Sequence, residues 1–190
     1  MGNRAKLAVG LIGSVVLAAA AYFTPSPAGV DLIKKSEGLE LQAYPDAVQI
    51  PTICYGSTRG VKLGMTATLA ECEERLVRDA TYAGKALDRY VEVKISQRQY
   101  DALVSFVYNI GETQFRKSTL LKKLNAGECR AAAAEFDRWV YAKGKKLRGL
   151  VKRRADERSV FETDCVFWEA TLRYDLSYYL EYSAQVAPRV

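Results

Sequence analysis

The run LAVGLIGSVVLAAAAYF, residues 7–23, carries no charge over seventeen positions and follows Arg4 and Lys6. Such a stretch cannot sit on the surface of a globular domain, and its basic flank marks an export segment rather than a core helix. As a helix it would reach about 26 Å, a little short of a hydrocarbon core of roughly 30 Å. Eight of its residues are Leu, Ile, Val or Phe; at about −0.3 to −0.6 kcal/mol each they supply roughly −2 to −5 kcal/mol. The others are five Ala, two Gly, one Ser and one Tyr, so the span is weak. Ala19-Ala20-Ala21 also offers a small-residue cleavage site, which leaves two outcomes: a retained anchor or a removed signal peptide. In both, the body of the protein leaves the cytoplasm.

An exported body suits the four cysteines, Cys54, Cys72, Cys129 and Cys165. An even count in an oxidising compartment reads as two disulfides, with three connectivities open. No Cys-x-x-Cys pair is present, which argues against a zinc or redox site. The chain has no histidine. Ser-His-Asp and Cys-His systems, His-ligated zinc and any imidazole base are therefore excluded. Acid–base chemistry falls to carboxylates, Lys, Tyr or Cys.

At 190 residues, with 49% hydrophobic and 26% charged side chains, the chain can form one domain with a real core or two small lobes sharing a linker helix. Its net charge is +6, and much of that lies in KGKKLRGLVKRRADER, residues 143–158. The run reads as a solvated helix face, or as a surface that attracts a polyanion. No aromatic residue interrupts it as a stacking platform would, so nucleic acid is not an expected partner.

TPSPAG, residues 24–29, reads as a connector. VDLIKKSEG reads as a short helix with Asp31 near its start, Gly38 ending it and Glu37 on its last turn. Residues 43–56 suggest a hairpin with Pro45-Asp46 at the turn and IPTICYG as a strand. Thr68 and Glu71 form a capping box opening a helix to about Tyr90; Ser96 and Gln99 open the next, with Tyr100, Leu103, Val104 and Val107 on one face. GETQFRKSTLLKKLNAG gives a loop and then a helix ended by Gly127, and ECRAAAAEFDRWVYA and GLVKRRADERSVF give two more helices. The fold class expected is α+β, mostly helical: a β-bearing lobe, a long connecting helix and a helical lobe, with a cleft between the lobes.

Two carboxylates and a hydroxyl fall within sixteen residues beside that cleft: Glu37, Asp46 and Thr52. Glycoside hydrolysis needs one protonated carboxyl to donate to the leaving oxygen and one ionised carboxylate opposite. Glu37 follows an apolar helical stretch and is the sheltered one of the pair. Asp46 sits in a turn, a wetter place suited to a charge, and Thr52 on the next strand could hold a water.

The spacing Glu37, eight residues, Asp46, five residues, Thr52 resembles that of the phage lysozymes, glycoside hydrolase family 24. ALVSFVYNIGETQFRKSTLLKKLN resembles that family's cleft-lining segment, and RWVYAKGKKLRGLVKRRADER its closing helices. The resemblance spans about residues 30–165, and the N-terminal run is similar to the weak, uncleaved anchors of signal-arrest-release (SAR) endolysins. It implies a lysozyme-like two-lobed domain that hydrolyses the β-1,4 bond between N-acetylmuramic acid and N-acetylglucosamine, for host lysis. Glu37 would be the general acid, with Asp46 and Thr52 handling the water. Tyr108, Asn109, Gly111 and Ser118 match the family's sugar-contacting positions. Having both Asp46 and Thr52 argues against a lytic transglycosylase.

Many relatives carry a histidine just after the glycine matched by Gly56, where this chain reads Gly56-Ser57-Thr58. SAR relatives switched by disulfide exchange carry a cysteine in the anchor; the first here is Cys54, so that switch cannot operate. The disulfides expected are Cys54–Cys72 and Cys129–Cys165, each inside one lobe. The expected organisation is an anchor and linker over residues 1–29, a muramidase domain over 30–165, and a helical C-terminal extension over 166–190. In that extension Leu172, Leu176, Tyr179 and Leu180 share a face, for packing on the helical lobe or meeting a membrane surface or partner. A cofactor-free, metal-free monomer is expected, tethered to the inner membrane through residues 7–23 and then released to the periplasm to act on peptidoglycan. Two rivals remain: an inactive membrane-anchored peptidoglycan-binding module, and a secreted carbohydrase with a cleaved signal.

Overall fold

The structure is a computed structural model that describes residues 24–46 and 48–165. The expectations for residues 7–23 and 166–190 lie outside them. Helix α1, Pro27–Lys34, starts inside what the sequence suggested was a connector. Ser26 caps it, its Oγ accepting from the Gly29 N–H at 3.2 Å, and Pro27 fits the first turn because it has no N–H to leave unpaired. Ser26 also donates through N–H (3.0 Å) and Oγ (2.5 Å) to the carboxylate of Asp101. A Cβ on Gly29 would come within 2.6 Å of that carboxylate, so only glycine lets α1 lie this close. Asp31 is thus inside the helix rather than at its start. The helix ends before Glu37, whose N–H still reaches the Ile33 carbonyl at 3.2 Å.

Strands β1 (Glu40–Pro45) and β2 (Pro51–Cys54) form the expected antiparallel hairpin, with Tyr44 opposite Thr52 and a shift of register between Glu40 and Tyr44. The segment after the hairpin returns along β1, through Ala43 N–H to Met65 O and Ala67 N–H to Leu41 O, both 2.8 Å. Both expected capping boxes are present: Thr68 with Glu71 opens α2 (Leu69–Tyr90), and Ser96 with Gln99 opens α3 (Gln97–Ile110).

Helix α3 is buried from Gln99 through Val107 because α1, α2 and α7 (Arg148–Glu162) pack around it. Tyr100, Leu103, Val104 and Val107 are all in the core, as their spacing suggested. Phe106 of α3 meets Phe136 edge-on at 5.0 Å and Trp139 at 5.4 Å, and Phe136 in turn meets Phe161 of α7 at 5.6 Å.

Two stretches differ from expectation. GETQFRK is not a loop: Gly111, at φ 79°, ends α3 and lets the chain restart as α4, Glu112–Lys117, which fully buried Phe115 anchors. Ser118 then caps α5, Thr119–Asn125. The helix expected through Ala142 ends early. Helix α6, Cys129–Glu135, runs into a 3-10 turn, Phe136–Arg138, and a two-residue hairpin follows, β3 (Tyr141–Ala142) with β4 (Lys145–Lys146).

Cys54–Cys72 pins β2 to α2, and Cys129–Cys165 closes α6 onto the residues after α7. With separations of 18 and 36 residues, the chain-entropy relation gives about 3 and about 4 kcal/mol respectively. The Cys129→Ser/Cys165→Ser protein is accordingly expected to lose about 4 kcal/mol, and Cys54→Ser/Cys72→Ser about 3 kcal/mol, in urea unfolding. A smaller loss for the longer loop would show that strain or residual structure outweighs loop entropy.

Candidate active site

Glu37 stands just past α1, its side chain 23% exposed. Its Oε1 accepts from Nη1 of Arg153 at 2.5 Å, across 116 residues of sequence. Its Oε2 faces Gly56, where a Cβ would lie 3.8 Å away. One oxygen is held and the other is left toward the cleft.

Arg153 is 3% exposed and is itself fixed. Its Nε donates to Glu157 Oε1 (3.0 Å) and its Nη2 to the Ser105 carbonyl (3.0 Å). Glu157, fully buried, also accepts from Ser105 Oγ at 2.7 Å and Arg154 Nη2 at 3.1 Å. Arg154, fully buried as well, lies 4.8 Å from the Phe106 ring centre and donates to Asn109 Oδ1 at 3.1 Å.

Charges therefore alternate: Glu37, Arg153, Glu157, Arg154. Burial pushes the Glu157 carboxyl up, against the pull of both guanidinium groups, and pushes Arg154 down to about 10 despite Glu157. Arg154 Nε lies 3.0 Å from Glu157 Oε2 but out of line for a hydrogen bond, so that contact is held by charge rather than alignment.

The basic run 143–158 is consequently not one solvated face. Lys143, Lys145, Lys146, Arg148 and Lys152 are exposed, whereas Arg153 and Arg154 are buried in the site. Sequence reasoning missed both, together with Glu157 and Ser105. The available signal was an Arg153-Arg154-x-x-Glu157 spacing, which stacks opposite charges three and four residues apart on one helix.

Asp46 holds the hairpin turn. Its Oδ1 accepts from the N–H groups of Val48 (2.8 Å) and Ile50 (2.9 Å), and Oδ2 has no hydrogen-bond partner among the described residues. Thr52 is 4% exposed and its hydroxyl donates to the Ile50 carbonyl at 2.9 Å. With its proton committed, the Thr52 oxygen can meet a water only as an acceptor.

A cavity of about 350 Å³ opens beside Gly56, and of the expected sugar-contacting residues Tyr108 and Gly111 line it. Asn109 is exposed and tied to Arg154, and Ser118 is buried with its hydroxyl accepting from Leu121 N–H at 3.0 Å; neither lines the cavity. Tyr108 donates to the Tyr55 carbonyl at 2.6 Å, joining α3 to the turn after β2. Burial, with Asp79 and Glu37 nearby, pushes its hydroxyl well above the usual range. Ser57 donates to Asp79 Oδ2 at 2.5 Å. Among the described residues no group of three His, Cys, Asp or Glu could hold a metal.

The profile of the family Phage lysozyme matches residues 34–157. The SAR-endolysin of Enterobacteria phage PA-2 is 38% identical over 82% of this chain and 93% of its own; that of Enterobacteria phage P21 is 36% identical over the same shares. The muramidase domain of SpmX from Asticaccaulis excentricus superposes with a TM-score of 0.70 at 36% identity, covering 74% of this chain and 98% of its own. A mutant of P22 lysozyme superposes at 0.66 with 38% identity, covering 73% and 98%. With two thirds of its length inside the family profile, its lysozyme-like fold and these relatives, the chain belongs to the phage lysozyme family and is a muramidase that lyses peptidoglycan.

Proposed function

We propose that the bond cleaved is the β-1,4 linkage from N-acetylmuramic acid to N-acetylglucosamine, with Glu37 as general acid and Asp46 and Thr52 binding the attacking water. The observation that supports this best is the division of labour at Glu37. Buried Arg153 fixes Oε1, and Oε2 is left facing Gly56, which lines the cavity. The proton on Oε2 passes to the glycosidic oxygen as the C–O bond breaks. On the other face of the sugar, one water hydrogen goes to Asp46 Oδ2 and the other to the Thr52 oxygen. Both hydrogens are then bound by acceptors, and a lone pair of the water is free for the anomeric carbon. Asp46 takes the proton as the new C–O bond forms, so the product is inverted. Room for that water calls for carboxyls roughly 6.5–9.5 Å apart.

The N-terminal run supplies the control, as an anchor ahead of a muramidase domain whose boundary, expected at residue 30, moves back to the Ser26 cap of α1. The SAR-endolysins of the two enterobacterial phages support this reading. Arg4 and Lys6 lie on the electrically negative side of the membrane, and release carries both outward. At about 2.3 kcal/mol per charge per 100 mV, an energised membrane adds roughly 5 kcal/mol to the hold of a weak span. An uncoupler should move the protein from membrane to soluble periplasmic fraction. Replacing Gly10, Gly13 and Ser14 with leucine should keep it bound and delay lysis; equal release of both proteins would refute the mechanism.

Glu37→Gln should fold normally and lose lysis, because the amide packs but has no proton to donate; near-normal clearing of murein gels by this variant would refute the assignment. NMR of the first-formed product of the wild type should show the inverted anomer.

Arg153→Lys keeps the charge but loses the fork that spans Glu37, Glu157 and the Ser105 carbonyl. Loss of fixed geometry at Glu37 should lower kcat by about tenfold to a hundredfold with little change in KM. An unchanged kcat would show that the pair serves stability alone.

A further inference from the structure

Two cations beside the cavity, Arg59 and Lys85, have no acidic partner among the described residues. Arg59 and Tyr82 both line the cavity beside Gly56, and the Arg59 guanidinium lies 3.8 Å from the Tyr82 ring centre. Lys85, one helical turn along α2, places its ammonium 6.0 Å from the same ring. Neither Arg59 nor Lys85 makes an ion pair or hydrogen bond among the described residues, and both are exposed.

The neighbouring charges are engaged differently. Glu112 is taken by Arg89 Nη2 (2.7 Å) and the Tyr90 hydroxyl (2.9 Å), and Asp79 accepts from Ser57. A guanidinium held 3.8 Å from an aromatic ring centre is already partly ordered and loses less freedom when its N–H groups meet an anion. Tyr82 itself is 46% exposed, so the ring and the guanidinium on it are open to substrate.

We propose that Arg59, stacked on Tyr82 and assisted by Lys85, is a specificity site for a carboxylate of the acidic peptide borne by the muramyl residue. The proposal rests on the muramidase reading. Its substrate alternates neutral N-acetylglucosamine with a sugar that carries an acidic peptide through a lactyl ether. Gly56 lies against Glu37 Oε2, and Gly56 and Arg59 line the same cavity, so we take that cavity as the path of a chain seated for cleavage. A planar, bidentate donor suits a carboxylate better than a sugar hydroxyl. The role is selection of the substrate, not chemistry at the glycosidic bond.

The test compares soluble peptide-bearing glycan fragments with the same fragments after their peptide carboxyls have been converted to amides. The wild type is expected to prefer the free acids by about tenfold in kcat/KM, chiefly through KM. In Arg59→Gln that ratio should fall toward one, and Arg59→Lys should recover part of it. Lys145→Gln removes the same charge from the exposed hairpin formed by β3 and β4, and should leave the ratio near wild type. The proposal is overturned if the wild type does not discriminate, if Arg59→Gln keeps the wild-type ratio, or if Lys145→Gln lowers it as much. Each of these results leaves the muramidase assignment standing, because cleavage of either fragment by the wild type demonstrates it.

Discussion

The placement of Glu37 depends on a chain of four alternating charges that begins in the cleft and ends in the core. An isolated Glu37–Arg153 pair at the rim would be screened and worth little. Here Arg153 is held from behind by Glu157 and the Ser105 carbonyl, and Glu157 is held in turn by Ser105 and Arg154. Burying such ions costs several kcal/mol each before their mutual attraction returns it, so the cluster is a poor way to gain stability. What it provides is direction: the acid's oxygen is fixed by a group that cannot itself move.

Local features were readable in the sequence because local chemistry produces them. The two capping boxes name their own partners three residues apart, and the α3 face follows from the 3.6-residue period. The hairpin and the Glu37, Asp46, Thr52 spacing are likewise contained in one short stretch. The start of α1 was missed because its cap is completed from 75 residues away, by Asp101. Read alone, TPSPAG is a Pro/Gly-rich connector; docked on α3, Ser26 and Pro27 become an N-cap and a first turn. Arg153 was missed for a related reason. The Arg153-Arg154-x-x-Glu157 spacing is the local sign of which basic residues turn inward, but the partner that ties Arg153 to the site, Glu37, lies 116 positions earlier.

Ser57 ties the turn beside the site through a neutral hydroxyl. Its hydroxyl reaches Asp79 at 2.5 Å, and a few residues away Tyr108 fixes the Tyr55 carbonyl. Both bonds join the turn after β2 to the helices behind it. Neither partner changes charge near neutral pH, because a serine hydroxyl does not titrate there and burial pushes the Tyr108 hydroxyl up. A histidine at position 57 would bring a group that does titrate there.

All three proposed catalytic residues lie between α1 and Cys54, on a strip of chain with little core of its own. Leu39, Leu41, Tyr44, Val48 and Ile50 are all exposed, and β1 buries almost nothing. Packing cannot supply the precision this site needs, since few side chains interlock along the strip. Discrete ties supply it instead: Asp101 to Ser26 at one end, Arg153 to Glu37, Tyr108 to the Tyr55 carbonyl, and Cys72 to Cys54 at the other. Each tie runs to α2, α3 or α7, the rigid elements around the core. The fold thus keeps its stability in one place and its reactive groups in another, and joins them at a few points. Weakening one tie should therefore degrade the geometry of catalysis well before it degrades the fold, since the core behind the strip keeps its own packing.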